Sequence, residues 1–164
     1  VPIEIRRIDY GDPAAAALRD EMDVEMSALY ARVSSDASPE LARLVDIALT
    51  VHPEEMVATV GAFDGDELVG HAAVRPFEDS LEVKRVIVRA DHRGQGISKL
   101  LMFELETVAR ERGVTSLVLQ TGDLQTQAIA LYTKIGYVPI ERFGAYGPVS
   151  FFLCFGKTLS LRVG

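Results

Sequence analysis

Val88-Arg89-Ala90-Asp91-His92-Arg93-Gly94-Gln95-Gly96-Ile97-Ser98 decides how this chain is read. It follows an apolar run with strand character, Leu81 to Arg89. It opens a helical run, Gly96 to Arg112, that sets Ile97, Leu100, Leu101, Leu105 and Val108 on one face. Glycine has no Cβ, so two glycines one residue apart leave the backbone bare. At a helix start the free N–H groups and the helix dipole favour an anion. The expected ligand is therefore a phosphate or pyrophosphate. A glycine-rich turn without a ligand is the plainer alternative.

Two familiar phosphate motifs fail here. A P-loop needs glycine and then lysine five and six residues after its first glycine, but Lys99 stands five after Gly94. A dinucleotide fingerprint needs a third glycine at that same place.

Outward from this stretch, periodicity and turn signals divide the chain. Ile3 to Ile8 reads as a strand. Asp12-Pro13 signals the start of a helix over Ala14 to Val33, and Ser38-Pro39-Glu40 that of a shorter one over Leu41 to Leu49. Met56 to Phe63 and Glu67 to Arg75 read as strands joined at Asp64-Gly65-Asp66, a hairpin turn. Gly113 ends the helix that follows the glycine-rich stretch, and Ser116 to Gln120 is a short apolar strand. Strand, helix and strand with short links make a βαβ unit, hence two parallel strands. Leu124 to Ile135 is a last helix stopped by Gly136, and Val138 to Phe143 and Ser150 to Gly156 are two closing strands. The order is β-α-α-β-β-β-α-β-α-β-β, with no repeat and no linker.

The chain of 164 residues is expected to be one domain, 1–164. It is 48% hydrophobic and 25% charged, as soluble globular proteins are. No apolar run nears the ~20 residues that span a bilayer, and no signal peptide is visible, so a cytoplasmic protein with no membrane role is expected. The first residue is Val1, as a processed or trimmed start would leave it. A net charge of −7 opposes nucleic-acid binding and suits a cationic amine weakly. The lone cysteine, Cys154, lies among Phe151, Phe152, Leu153 and Phe155 and reads as a buried structural thiol. His52, His71 and His92 lack metal-ligand spacing, so no metal is expected, and His71 reads as structural or exposed. The acidic run Asp20, Glu21, Asp23 and Glu25 reads as a solvated helix face.

Arg93-Gly94-Gln95-Gly96-Ile97-Ser98 resembles motif A of the GNAT superfamily of acetyl-CoA-dependent N-acyltransferases, Gln/Arg-x-x-Gly-x-Gly/Ala, with Ser98 replacing the last small residue. Gln125-Thr-Gln-Ala128-Ile-Ala-Leu131-Tyr132-Thr-Lys-Ile-Gly136-Tyr137 resembles its motif B, Asn-x-x-Ala-x-x-x-Tyr-x-x-x-Gly-Phe/Tyr. With the preceding strand the two motifs take in Leu81 to Tyr137, about a third of the chain. The resemblance implies a mixed α/β (α+β) GNAT fold. Its central sheet is mixed and mostly antiparallel, the parallel fourth and fifth strands are splayed, and helices flank it.

The resemblance also distributes roles. Acetyl transfer from a thioester to an amine needs a phosphate grip, a polarised carbonyl, a proton acceptor for the ammonium and a proton donor for the thiolate. The backbone at Arg93, Gly94, Gln95, Gly96 and Ser98 would take the pyrophosphate of acetyl-CoA, the cosubstrate. Lys99 would touch the nucleotide end or remain solvated. Val86 and Val88 would offer main-chain groups to the acyl and pantetheine part. Gln125 sits where asparagine is common and would contact CoA. Glu82, eleven residues before Arg93, would be the general base, directly or through water. Its plainer role is an ion pair with Lys84 or Arg85. Tyr132 would be the general acid, since a phenol is protonated at neutral pH, or else an ordinary core tyrosine. Tyr30, and Tyr146 in the loop before the last strand, fall near the acceptor side.

The implied activity is direct transfer of acetyl to a primary amine of a small molecule or peptide, with no covalent enzyme intermediate. A GNAT-fold acyl-CoA sensor without turnover is the first alternative, and a nucleotide-binding or structural module the second. Oligomeric state stays open, with a homodimer through the C-terminal strands as one arrangement.

Overall fold

A computed structural model describes residues 2–160. The ends of the expected domain, Val1 and residues 161–164, lie outside the described residues.

One seven-stranded sheet carries the molecule, in the order β1-β2-β3-β4-β5-β7-β6. The strands are β1 (Ile3–Ile8), β2 (Ala58–Asp64), β3 (Glu67–Phe77), β4 (Ser80–Val88), β5 (Ser116–Gly122), β6 (Val138–Ile140) and β7 (Phe152–Thr158). All neighbours are antiparallel except β4 and β5, the parallel pair made by the βαβ unit. This is the mixed sheet expected, including the hairpin turn at Gly65, whose φ is 63°.

Helix α4 (Ile97–Glu111) covers one face. Its Ile97, Leu101, Met102, Leu105, Val108 and Ala109 are buried against Val60, Val69, Val83 and Leu119. The apolar face read from the sequence is thus the packed one, except that Leu100 is exposed. Helices α1 (Pro13–Leu29), α2 (Ala31–Asp36) and α3 (Pro39–Leu49) lie on the other face. Ala15 and Leu18 of α1 pack with Leu68 and Ile87, and Ala48 of α3 packs with Tyr146, Val149, Phe152 and Cys154. Cys154 is buried, as a structural thiol should be.

Two elements differ from the sequence expectation. The single helix over Ala14 to Val33 breaks at Tyr30 into α1 and α2. The Tyr30 ring stacks on Phe151, and its hydroxyl accepts the Leu124 N–H at 3.1 Å. Those ties lie far away in sequence, so local propensity did not register them. The strand expected over Val138 to Phe143 stops at Ile140. Beyond it a 3₁₀ turn, Gly144–Tyr146, drives the Tyr146 ring into the core, edge-on to Phe143 and Phe152. Helix α5 (Thr126–Lys134) completes the elements beside the sheet.

Candidate active site

The sheet opens at its centre. β4 and β5 pair at only three positions, Leu81 with Leu117, Glu82 with Val118 and Val83 with Leu119. Past Val83 the two strands run on unpaired, to Val88 and Gly122. The cause lies on the other side of β4, where the register with β3 shifts between His71 and Ala73. Arg85 stands in this bulge with φ 60°, which costs a side-chain-bearing residue about 1–2 kcal/mol.

His71 holds the bulge in place. One ring nitrogen, Nδ1, lies 2.8 Å from the Arg85 carbonyl, and Nε2 lies 2.9 Å from Arg19 Nη1. Burial pulls its pKa down to about 4, so the ring is neutral at pH 7. A neutral ring donates from one nitrogen and accepts at the other, and these partners require donation to the carbonyl and acceptance from Arg19. His71 is therefore structural, as expected.

The fork leaves main-chain groups unpaired. The Arg89 N–H donates to the Val69 carbonyl at 2.9 Å, so Arg89 and Ile87 turn their polar groups toward β3. Val86 and Val88 alternate with them and face the fork. Arg93 Nε donates to the Val88 carbonyl at 3.0 Å, which ties down the loop and leaves the Val88 N–H for a ligand. Thr121, on the opposite arm, buries its Oγ1 with no hydrogen-bond partner among the described residues.

The loop at the end of the fork has the shape the glycines require. Gly94 and Gly96 take φ of 77° and 78°, and Gly96 caps α4. Nothing in the protein lies within 4 Å of a Cβ built at either position. The space beside them is open, and bare amides at the start of α4 fit a pyrophosphate. Arg93 Nη2 also pairs with Glu25 Oε2 at 2.6 Å, and Arg85 with Asp23 at 2.5 Å. The acidic run on α1 is exposed, as expected, and two of its members, Asp23 and Glu25, also tie α1 over the fork through these pairs.

A cavity of about 1210 Å³ runs from this loop along the fork and under α1, α2 and α3. Val86, Val88, Arg93, Gly94, Gly96, Ser98, Lys99, Gln125 and Tyr132 all line it, as does Tyr30. Gln95 and Glu82 do not. Lys99 rests its Nζ 5.5 Å from the centre of the Phe103 ring. Gly122 gives Tyr30 its seat, because a Cβ there would lie 1.9 Å from the Tyr30 hydroxyl oxygen. Tyr132 is 6% exposed and makes no hydrogen bond through its hydroxyl among the described residues. Burial raises its pKa, so the phenol keeps its proton across the physiological range.

Glu82 lies behind the cavity wall. It is 2% exposed; Arg75 Nε donates to its Oε1 at 2.9 Å, and the Tyr146 hydroxyl donates a short bond to its Oε2. Lys84 Nζ donates to the Tyr146 oxygen at 2.8 Å and stands 3.9 Å from Glu82 Oε2. The expected partner Lys84 is thus near, while Arg85 is not part of the set. Of this network Lys84 is the member that lines the cavity. Sequence reasoning missed Arg75, Lys84 and Tyr146 as a group. Only Lys84 carried a local signal, a lysine two residues from a glutamate and so on the same face of a strand.

The sequence model of the acetyltransferase (GNAT) family matches residues 17–137. This chain belongs to the GNAT acetyltransferase family. Mouse N-acetyltransferase 8 is 39% identical over 82 residues, which are 46% of this chain and 36% of that protein. The similarity therefore spans little over a third of that relative's length. A Klebsiella pneumoniae structure described as a candidate acyl-CoA N-acyltransferase superposes with a TM-score of 0.77 at 29% identity, over 96% of this chain and 98% of that one. The PaiA N-acetyltransferase of Thermoplasma acidophilum, solved in complex with coenzyme A, shares the fold with a TM-score of 0.69 at 18% identity, over 96% of this chain and 99% of that one. Among the described residues no helix is long and apolar enough to cross a membrane, and His, Cys, Asp and Glu form no cluster of three able to hold a metal ion.

Proposed function

We propose that this protein transfers an acetyl group from acetyl-CoA directly to a primary amine of a small molecule or peptide. The observation that carries the proposal is the convergence of three features on one cavity: the β4/β5 fork, the Gly94/Gly96 loop and the Tyr132 hydroxyl.

Each feature answers one chemical need. The amides from Arg93 to Ser98 grip the pyrophosphate, with Gln95 contributing backbone only. The unpaired N–H groups of Val86 and Val88 fix the pantetheine and polarise the thioester carbonyl. Gln125, at the start of α5, and Lys99 flank the cosubstrate. Tyr132 donates its proton to the departing sulfur. Glu82, the expected proton acceptor, serves the acceptor's deprotonation from behind the cavity wall, through the Tyr146 and Lys84 that it holds.

Free-thiol release with acetyl-CoA tests this across panels of amino acids, polyamines, aminoglycosides and peptides. Thiol release that depends on one amine class, with the acetylated amine found by mass spectrometry, is the expected result. Tight acetyl-CoA binding with no release for any amine would leave the sensor reading instead.

A further inference from the structure

The glutamate expected to take the acceptor's proton is sealed from the cavity, and the residue beside it is not. Arg75 and Tyr146 occupy both Glu82 oxygens, so no substrate amine reaches them without breaking the network. Burial and the Glu82 charge raise the Tyr146 pKa, so its phenol stays protonated and is no base. Lys84 closes the chain on the cavity side.

The directions of these bonds fix how Lys84 meets Tyr146. The Tyr146 proton lies toward Glu82, so the Tyr146 oxygen accepts and Lys84 Nζ donates. In the neutral amine that donation uses one N–H and leaves the lone pair free to turn to the cavity that Lys84 lines. Lys84 also stands on β4 two residues before Val86, whose N–H faces the fork.

We propose that Lys84 Nζ is the group that takes the acceptor's proton, while Tyr146, Glu82 and Arg75 are positioning residues that hold it with its lone pair toward the cavity. The proposal rests on the acetyl-transfer reading above. Neutral Lys84 accepts one proton from the acceptor ammonium. The freed nitrogen lone pair attacks the thioester carbonyl carbon; the C–N bond forms and the C–S bond breaks. Sulfur takes the Tyr132 proton, and the second nitrogen proton restores the phenol through solvent. Lys84 returns its proton to solvent, so one proton is released per acetyl group transferred.

The electrostatics support a lysine that titrates in a useful range. Burial lowers the Lys84 pKa to about 8, against the pull of Glu82, which raises it. Arg75 on β3 and Arg85 on β4 lower it further, and Cys154 on β7 opposes them. A free lysine side chain, with a pKa of about 10.4, is well under one per cent neutral at pH 8.

The test is kcat between pH 6.5 and 10 for the wild type and Lys84→Arg, with acetyl-CoA affinity measured by calorimetry. Arginine keeps the charge and the donor but does not lose its proton. Wild-type kcat should rise about tenfold per pH unit and level off near pH 8. Lys84→Arg should lose about 100-fold or more in kcat and lose that break, with its acetyl-CoA affinity within about threefold of wild type. A Lys84→Arg enzyme that keeps the rate and the break overturns the proposal and leaves the acetyl-transfer reading standing. A wild type that transfers acetyl to no amine overturns that reading itself. Should Lys84→Arg fail to fold, the unmodified protein still decides. It has four lysines, so a carbon NMR titration of their Cε signals should show one midpoint near 8. Four midpoints above 10 would overturn the proposal.

Discussion

The two ends of β4 do opposite work by opposite physics. At its C-terminal end the chain is stripped bare: glycines at positive φ, unpaired amides and open space. At its N-terminal end it is packed: a carboxylate, a guanidinium, a phenol and a lysine nitrogen share one buried network. On the proposed reading, binding a large anion at the first end needs only backbone, whereas moving a proton at the second needs side chains held from two strands and a turn. The bulge at Arg85, buttressed by neutral His71, joins the two ends.

The sharpest way to break this comparison is at the bare end. Gly96→Val places a β-branched residue at φ 78° and a side chain in the open space proposed for the pyrophosphate. Calorimetry should show acetyl-CoA affinity falling by about 100-fold or more, or no heat at all, since several charge-assisted contacts go together. The fold should survive but lose about 1–2 kcal/mol or more, because no protein atom meets the new Cβ while a β-branched residue is strained at that φ.

At the packed end the effects should fall on rate and stability instead. Tyr132→Phe, on α5 between the two ends, is expected to lower kcat by about 100-fold with acetyl-CoA affinity unchanged, as the proposed acid that acts only on the leaving group would. Equal losses in both would assign Tyr132 to the core alone. Glu82→Gln removes the one carboxylate that Arg75 and Lys84 share closely, and an uncompensated buried charge costs about 3–5 kcal/mol. Thermal unfolding should therefore drop by roughly 10 °C. Glu82 raises the Lys84 pKa, so its loss should move the break in the pH–rate profile below pH 8. A break that moves upward would contradict the network.

The smallest effect tests the strap that ties α1 to the loop at the bare end. Glu25 and Arg93 pair while both remain substantially exposed, and such pairs contribute little. Glu25→Gln frees Arg93 for phosphate. Acetyl-CoA affinity should tighten about two- to threefold at low salt, a gain that screening removes at high salt.

The same division explains what the sequence made legible. The bare end was readable because glycines, a helix start and an apolar strand are contiguous, so Arg93 to Ser98 declared themselves locally. Tyr132 was readable through its spacing to Ala128 on the same helix and to Gly136 just past its end. The packed end was readable only in the Glu82–Lys84 pair, because Arg75 and Tyr146 are drawn to it only by sheet register and by a 3₁₀ turn that lies beyond the shortened β6. Glu82 was picked out by its distance from Arg93, but spacing carries no information on burial, and Lys84 rather than Glu82 faces the cavity. Tyr30 broke the first helix for the same kind of reason: its partners, Leu124 and Phe151, lie on other elements.

A crystal structure of the protein with acetyl-CoA puts the whole account to its most direct test. The pyrophosphate should sit on the amides between Arg93 and Ser98, with the thioester carbonyl oxygen within hydrogen-bonding distance of the Val86 N–H. A cosubstrate found elsewhere, with the β4/β5 fork closed by strand pairing, would contradict it.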